Sequence, residues 1–143
     1  MQELHGYYLE DLEVGMSASY AKTITDADVI LFAGISGDNN PIHINDEYAQ
    51  TTPFKQRIVH GMFSAALIST VAGTRLPGPG AIYVDQQLKF KAPVHIGDTA
   101  RASLTVTEID ERRRRVKCRT DVHVGEKLVA TGEGTFMVDR REA

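Results

Sequence analysis

Apolar and polar positions alternate with a period of two over most of the second half of the chain. In the run 98–109, Ala100, Ala102, Leu104 and Val106 fall on one face; in 127–138, Leu128, Ala130, Phe136 and Val138 do the same. This alternation predicts strands. The runs 81–91 and 114–124, and an early one over 15–22, bring the expected sheet to about five strands, antiparallel and covered on one face. Val124–Gly125–Glu126 predicts the hairpin bend between the last two. Gly132 and Gly134 share the inner face of the final strand, where they weaken it unless something packs closely; a buried helix is the expected neighbour.

Two stretches have helical character. In ITDADVILFAGISGD, Thr25 is placed to cap a helix, with Asp26 and Asp28 in the first turn and Gly34 and Gly37 at its end. In HGMFSAALISTVAGT, apolar residues from Met62 to Ala72 cover nearly every face, which predicts a helix buried all round. The loop LPGPG breaks it. Between these two, DNNPIHINDEYAQTTPF reads as irregular with one short helix capped by Asn45 or Asp46, and Pro41 is expected to interrupt regular helix around it. The expected fold class is α+β: a curved antiparallel sheet around one long hydrophobic helix, in a single domain over residues 1–143.

Composition narrows the function. With 42 % hydrophobic residues the chain can bury a core without staples. Cys118 is the one cysteine, so an internal disulfide is excluded; its strand register predicts a buried thiol. The first residues lack a basic start followed by an apolar run, and no apolar stretch approaches the ~20 residues of a membrane span. A cytoplasmic location without membrane contact is the expectation. A net charge of -3 argues against a general nucleic-acid binder. The run Arg112–Arg115, with Lys117 and Arg119, is expected to be a solvated strand face, phosphate contact being the competing reading. No paired metal-ligand spacing and no glycine-rich nucleotide loop is present, so no metal is expected.

The chemistry concentrates in SGDNNPIH. Asp38 and His43 sit in a polar loop whose Gly37 frees the backbone and whose Asn39 and Asn40 hold turns. Histidine titrates near neutrality, and a carboxylate beside it can polarise water. Such a pair can add water to an activated double bond or remove it, provided an electron sink such as a thioester carbonyl takes up charge. The start of the long helix, around His60, Gly61 and Met62, offers free N–H groups for that oxygen. The competing readings are a turn residue for Asp38 and a structural histidine for His43. For His60 the structural reading is preferred.

These residues carry a resemblance. The stretch from Phe32 through AGISGDNNPIHINDEYA resembles the hydratase motif of the MaoC-like, (R)-specific enoyl-CoA hydratases, and RIVHGMFSAALIS and IYVDQQLKFKAPVHIGD are similar to that family too. The resemblance implies a hot-dog fold and a homodimer joined sheet edge to sheet edge. It implies syn addition of water to trans-2-enoyl-CoA, giving (R)-3-hydroxyacyl-CoA, with no cofactor, coenzyme A being part of the substrate. By the same resemblance Asp38 activates water, and His43 binds it and handles the proton bound for the α-carbon. Gly61 is the oxyanion donor, Ser69 the supporting serine, and Asn40 the brace of the loop. Val71, Leu76 and Tyr83 are candidates for the acyl pocket. The rival readings are a hot-dog acyl-CoA thioesterase, which would direct the water at the thioester carbonyl, and a non-catalytic acyl-CoA-binding module.

Overall fold

The computed structural model describes residues 1–142. Its sheet contains β1 (Ser17–Thr23), β2 (Ile82–Phe90), β3 (Thr99–Asp110), β4 (Arg115–Val124) and β5 (Lys127–Met137), ordered β1-β3-β4-β5-β2. Every neighbouring pair is antiparallel. The alternation in the sequence is the cause. Ala100, Ala102, Leu104 and Val106 of β3, and Val116, Cys118, Thr120 and Val122 of β4, are all buried. Their side chains face one way because successive Cβ atoms point to opposite sides of a strand.

Across this inner face runs the long helix α4 (Gly61–Thr74), against β3 and flanked by β1 and β4. Phe63, Leu67, Ile68 and Val71 join the sheet residues in one core. Burying each large apolar side chain is worth roughly 1.5–3 kcal/mol, so this contact is a major source of the stability of the fold. The helix is not buried all round, however. Met62 is 63 % exposed, and Ala66 and Ser69 are exposed as well. One sheet covers only one side of a helix, and the second apolar face of α4 is left open.

The close neighbour of the β5 glycines is also not the helix. A Cβ on Gly132 would run into the carbonyl of Gln87 on β2, and one on Gly134 would stand 2.5 Å from Gln86 Oε1. The register of β2 on β5 shifts between Tyr83 and Asp85. The glycines therefore admit a neighbouring strand.

The connection before α4 holds three short elements. Helix α1 (Asp26–Ser36) begins at Thr25, whose Oγ1 accepts from Asp28 N at 3.2 Å while Asp28 Oδ2 accepts from Thr25 N at 3.0 Å. It ends at Gly37, at φ 79, a conformation that suits glycine. Pro41 does not exclude a helix; it starts one, α2 (Pro41–Ile44). At the first helical position the N–H that proline lacks would have no intrahelical partner anyway. A third helix, α3 (Asp46–Gln50), is capped by Asn45, as expected.

The arginine run forms the β3–β4 hairpin and the strand after it. Arg114 pairs with Asp139 at 3.3 Å, Lys117 with Glu133 at 3.7 Å and Arg119 with Asp121 at 2.9 Å. This is the mixed-charge character of a solvated face, and such exposed pairs contribute little each. Burial pushes the Cys118 thiol up to about 12, in keeping with an inert core residue. No helix among the described residues is long and apolar enough to cross a membrane.

Candidate active site

The loop between α1 and α2 is shaped by its own short side chains. The Ser36 hydroxyl donates to Phe32 O at 2.6 Å and accepts from Asp38 N at 3.1 Å. Asp38 Oδ1 accepts from Asn40 N at 3.3 Å, and Asn40 Oδ1 accepts from Ile42 N at 3.1 Å. Asp38 is thus a turn residue and an exposed carboxylate at once, with Oδ2 outside the turn. Asn40 braces the loop as the cap of α2.

His43 lies in the last turn of α2 and is 8 % exposed. Its Nδ1 donates to Ile58 O at 2.7 Å, which fixes the tautomer and leaves Nε2 for another partner. Burial holds its pKa below the ordinary value of 6.5. His60 pushes in the same direction, while the Ile58 carbonyl and Asp38 push the other way. At neutral pH the ring is therefore uncharged and Nε2 is an acceptor.

A residue that sequence reasoning passed over locks this loop. The Arg57 side chain is 11 % exposed; its Nε donates to His43 O at 2.6 Å and its guanidinium to Asp26 Oδ1 at 2.7 Å. It ties the start of α1 to the end of α2. The only signal was an arginine just ahead of IVHGM, which says nothing about where its partners lie. Ile58 N donates to Ile42 O at 3.2 Å, and Val59 N to Val94 O at 2.7 Å, so the chain enters α4 already anchored on both sides.

That entry brings His60 and Gly61 to the loop. His60 is 2 % exposed, bonds Asp38 O through Nε2 at 2.8 Å, and stacks on His43 with ring centroids 3.8 Å apart. Ligand atoms of Asp38, His43 and His60 all lie within 4.8 Å of one another. The two rings are inclined by only 24°, so they lie face to face rather than converging as metal ligands do. The arrangement suits a small polar molecule better than an ion. Beside it the first turn of α4 presents N–H groups that have no partner within the helix.

Two hollows lie at the start of α4. One of about 310 Å³ is lined by His60, Gly61, Ser64 and Phe54, among others. The other, of about 440 Å³, is an apolar groove between α4 and β2 lined by Met62, Ala65, Tyr83, Val84 and Leu88. Phe90 borders both, and its ring would lie 3.0 Å from a Cβ on Gly61.

The structure brings Asp38, Asn40, His43 and Gly61 to one place. Tyr83 reaches the apolar groove, where its hydroxyl donates to Gln86 Oε1 at 2.5 Å and burial pushes its pKa up to about 12. Ser69 lies on the open face of α4, away from the loop of its own chain. Val71 and Leu76 are 0 % and 1 % exposed and belong to the closed core, where they offer no free surface to a ligand. Ser64, read from sequence only as a small residue, is buried at the wall beside Gly61.

The profile of the MaoC like domain matches residues 11–127. The chain belongs to this family. It is 58 % identical over 135 residues to the (R)-specific enoyl-CoA hydratase of Rhodospirillum rubrum, covering 94 % of each chain. It is 46 % identical over 142 residues to the 3-hydroxybutyryl-CoA dehydratase of Methylorubrum extorquens, covering 99 % of this chain and 90 % of that one. The unliganded R-hydratase of Pseudomonas aeruginosa superposes with a TM-score of 0.88 at 44 % identity, over 94 % of this chain and 86 % of that one. The curved sheet wrapped on α4 is the hot-dog fold of these MaoC-like proteins.

Proposed function

We infer that this MaoC-like protein is an (R)-specific enoyl-CoA hydratase, adding water reversibly to trans-2-enoyl-CoA to give (R)-3-hydroxyacyl-CoA. The observation that carries the reading is the placement of an exposed carboxylate, Asp38, and a neutral imidazole, His43, beside the N-terminus of α4. Asp38 Oδ2 and His43 Nε2 are both acceptors, so together they hold a water by its two hydrogens. As its oxygen attacks C3, the C2=C3 π bond opens toward the thioester carbonyl. One water O–H bond breaks, and its proton passes through the Asp38–His43 pair to C2 on the same face. The Gly61 N–H stabilises the enolate oxygen in between, a contribution of about 10²–10³-fold in rate for one such donor. The water supplies both the OH and the H, so the reaction needs no cofactor.

The same reading extends to the assembly. β2 is an edge strand, and Ile82, Val84 and Phe90 along it are 54 %, 46 % and 53 % exposed. With Met62 on α4 they form an apolar surface of the kind that marks an interaction site. The proposed homodimer pairs the β2 edges and covers the open face of α4, Ser69 included. The acyl chain lies in the groove bordered by Tyr83. Residues 1–143 act as one domain, and the proposed location is the cytoplasm, in keeping with a lone buried thiol.

The test is incubation with crotonyl-CoA. Enoyl absorbance falls, and chiral analysis of the product finds the (R)-3-hydroxy thioester. Release of free thiol from a saturated acyl-CoA, with crotonyl-CoA untouched, would select the thioesterase instead.

A further inference from the structure

We propose that His60 is a positioning residue for the hydration step, its Nε2–H fixing the main-chain carbonyl of Asp38 and its ring face fixing the imidazole of His43. The inference rests on the reading that Asp38 and His43 handle the water.

His60 occupies the cap position of α4, yet its side chain makes no capping bond. Capping would use a short side-chain oxygen accepting from the first N–H groups of the helix. The imidazole instead leaves the helix, crosses to the loop 22 residues earlier in the chain and donates to Asp38 O. One ring face stacks on His43, and Phe32 meets the ring edge-on at 4.9 Å and 62°. Between them the ring is packed on two sides. Its Nδ1 is buried without a hydrogen-bond partner. A residue serving only to fill this space would be apolar, because a buried polar atom without a partner is a standing cost.

Three of the holds on the site then share one short segment. His43 is held through Ile58 O, Asp38 through His60 Nε2, and the oxyanion donor is Gly61 N–H. All three belong to the four residues 58–61. His60 couples the water-holding loop to the helix end that receives the enolate. Misplacing reacting groups by about 1 Å costs on the order of 10²-fold in rate.

His60 also faces the proton chemistry. The titratable and charged groups around the pair are Asp38 and His43 on the loop, and Arg57 at the His43 carbonyl. Lys91 lies on the wall of the hollow that His60 lines, and His95 sits opposite Ile58 across a β-bridge. The first turn of α4 adds no charge. Of these neighbours, His60 disfavours a proton on His43 and Asp38 favours one.

Two variants separate the two contacts. His60→Phe keeps a ring to stack and loses the donor; His60→Gln keeps a donor and loses the ring. With crotonyl-CoA, each is expected to lower kcat by about 10- to 100-fold with KM held within about threefold. If both retain kcat within about twofold of the parent, while Asp38→Asn and His43→Gln are inactive, the proposal is wrong and the hydratase reading stands. If Asp38→Asn and His43→Gln also turn over normally, the reading beneath it fails as well. Nitrogen NMR of the unmodified protein gives a check that needs no variant. His60 is expected as the Nε2–H form, and finding the Nδ1–H form would overturn the proposal.

Discussion

At the scale of single residues, the proposed hydration rests on His43 being kept neutral and on Asp38 not being wholly committed to its turn. Burial lowers the proton affinity of His43, so its Nε2 accepts from water at neutral pH. The expected kcat/KM falls on the acid side with a midpoint below 6.5, the ordinary histidine value. The same shift links to stability. An unfolded histidine binds a proton more readily than buried His43, so the contribution of this group is present above about pH 6.5 and lost as pH falls through its folded pKa. Urea midpoints at about pH 7.5 and about pH 5.5 should show the lower stability at the acid value. A higher midpoint at acid pH would contradict it. That Asp38 and His43 come together was legible because they lie close in a loop rich in polar residues. Arg57 and His60 were not, because their partners lie 14 and 22 residues away and a lone arginine or histidine carries no local sign of them.

At the scale of elements, the strands were legible from period-two alternation and α1 from its caps, since both signals are local. Two readings failed for stated reasons. Pro41 was taken as a helix breaker, but position decides its effect, and at the first position of α2 it is favourable. The β5 glycines were assigned to a helix neighbour, whereas the β2 backbone occupies the space a Cβ would need. Which neighbour crowds a glycine depends on sheet order, and β2 reaches β5 only through a connection that skips over two strands of the sheet order. Gly132→Ala should therefore destabilise by about 2 kcal/mol, in the range of overpacking a closed contact. Chemical denaturation measures it, and a variant as stable as the parent would show that the strands have room.

At the scale of the whole molecule, one face of α4 and the β2 edge stand open together. An all-apolar helix in the sequence announces burial on every side, but a single chain covers only one. Within the sequence nothing distinguishes burial by the chain's own sheet from burial by another copy. Val84→Glu places a charge on the open surface at the groove. It is expected to turn a sedimenting dimer into a monomer and to cost activity about tenfold or more, with the strand content of the protein unchanged. A parent that sediments as a monomer would contradict the proposed assembly. The central claim, that the Asp38–His43 pair adds water to an enoyl thioester, is tested most directly by the turnover of Asp38→Asn on crotonyl-CoA. Asparagine keeps the side-chain oxygen that accepts from Asn40 N, so the loop is preserved while the carboxylate is lost. The account predicts a fall in kcat of about 10³-fold with the fold intact. Turnover near that of the parent would contradict it.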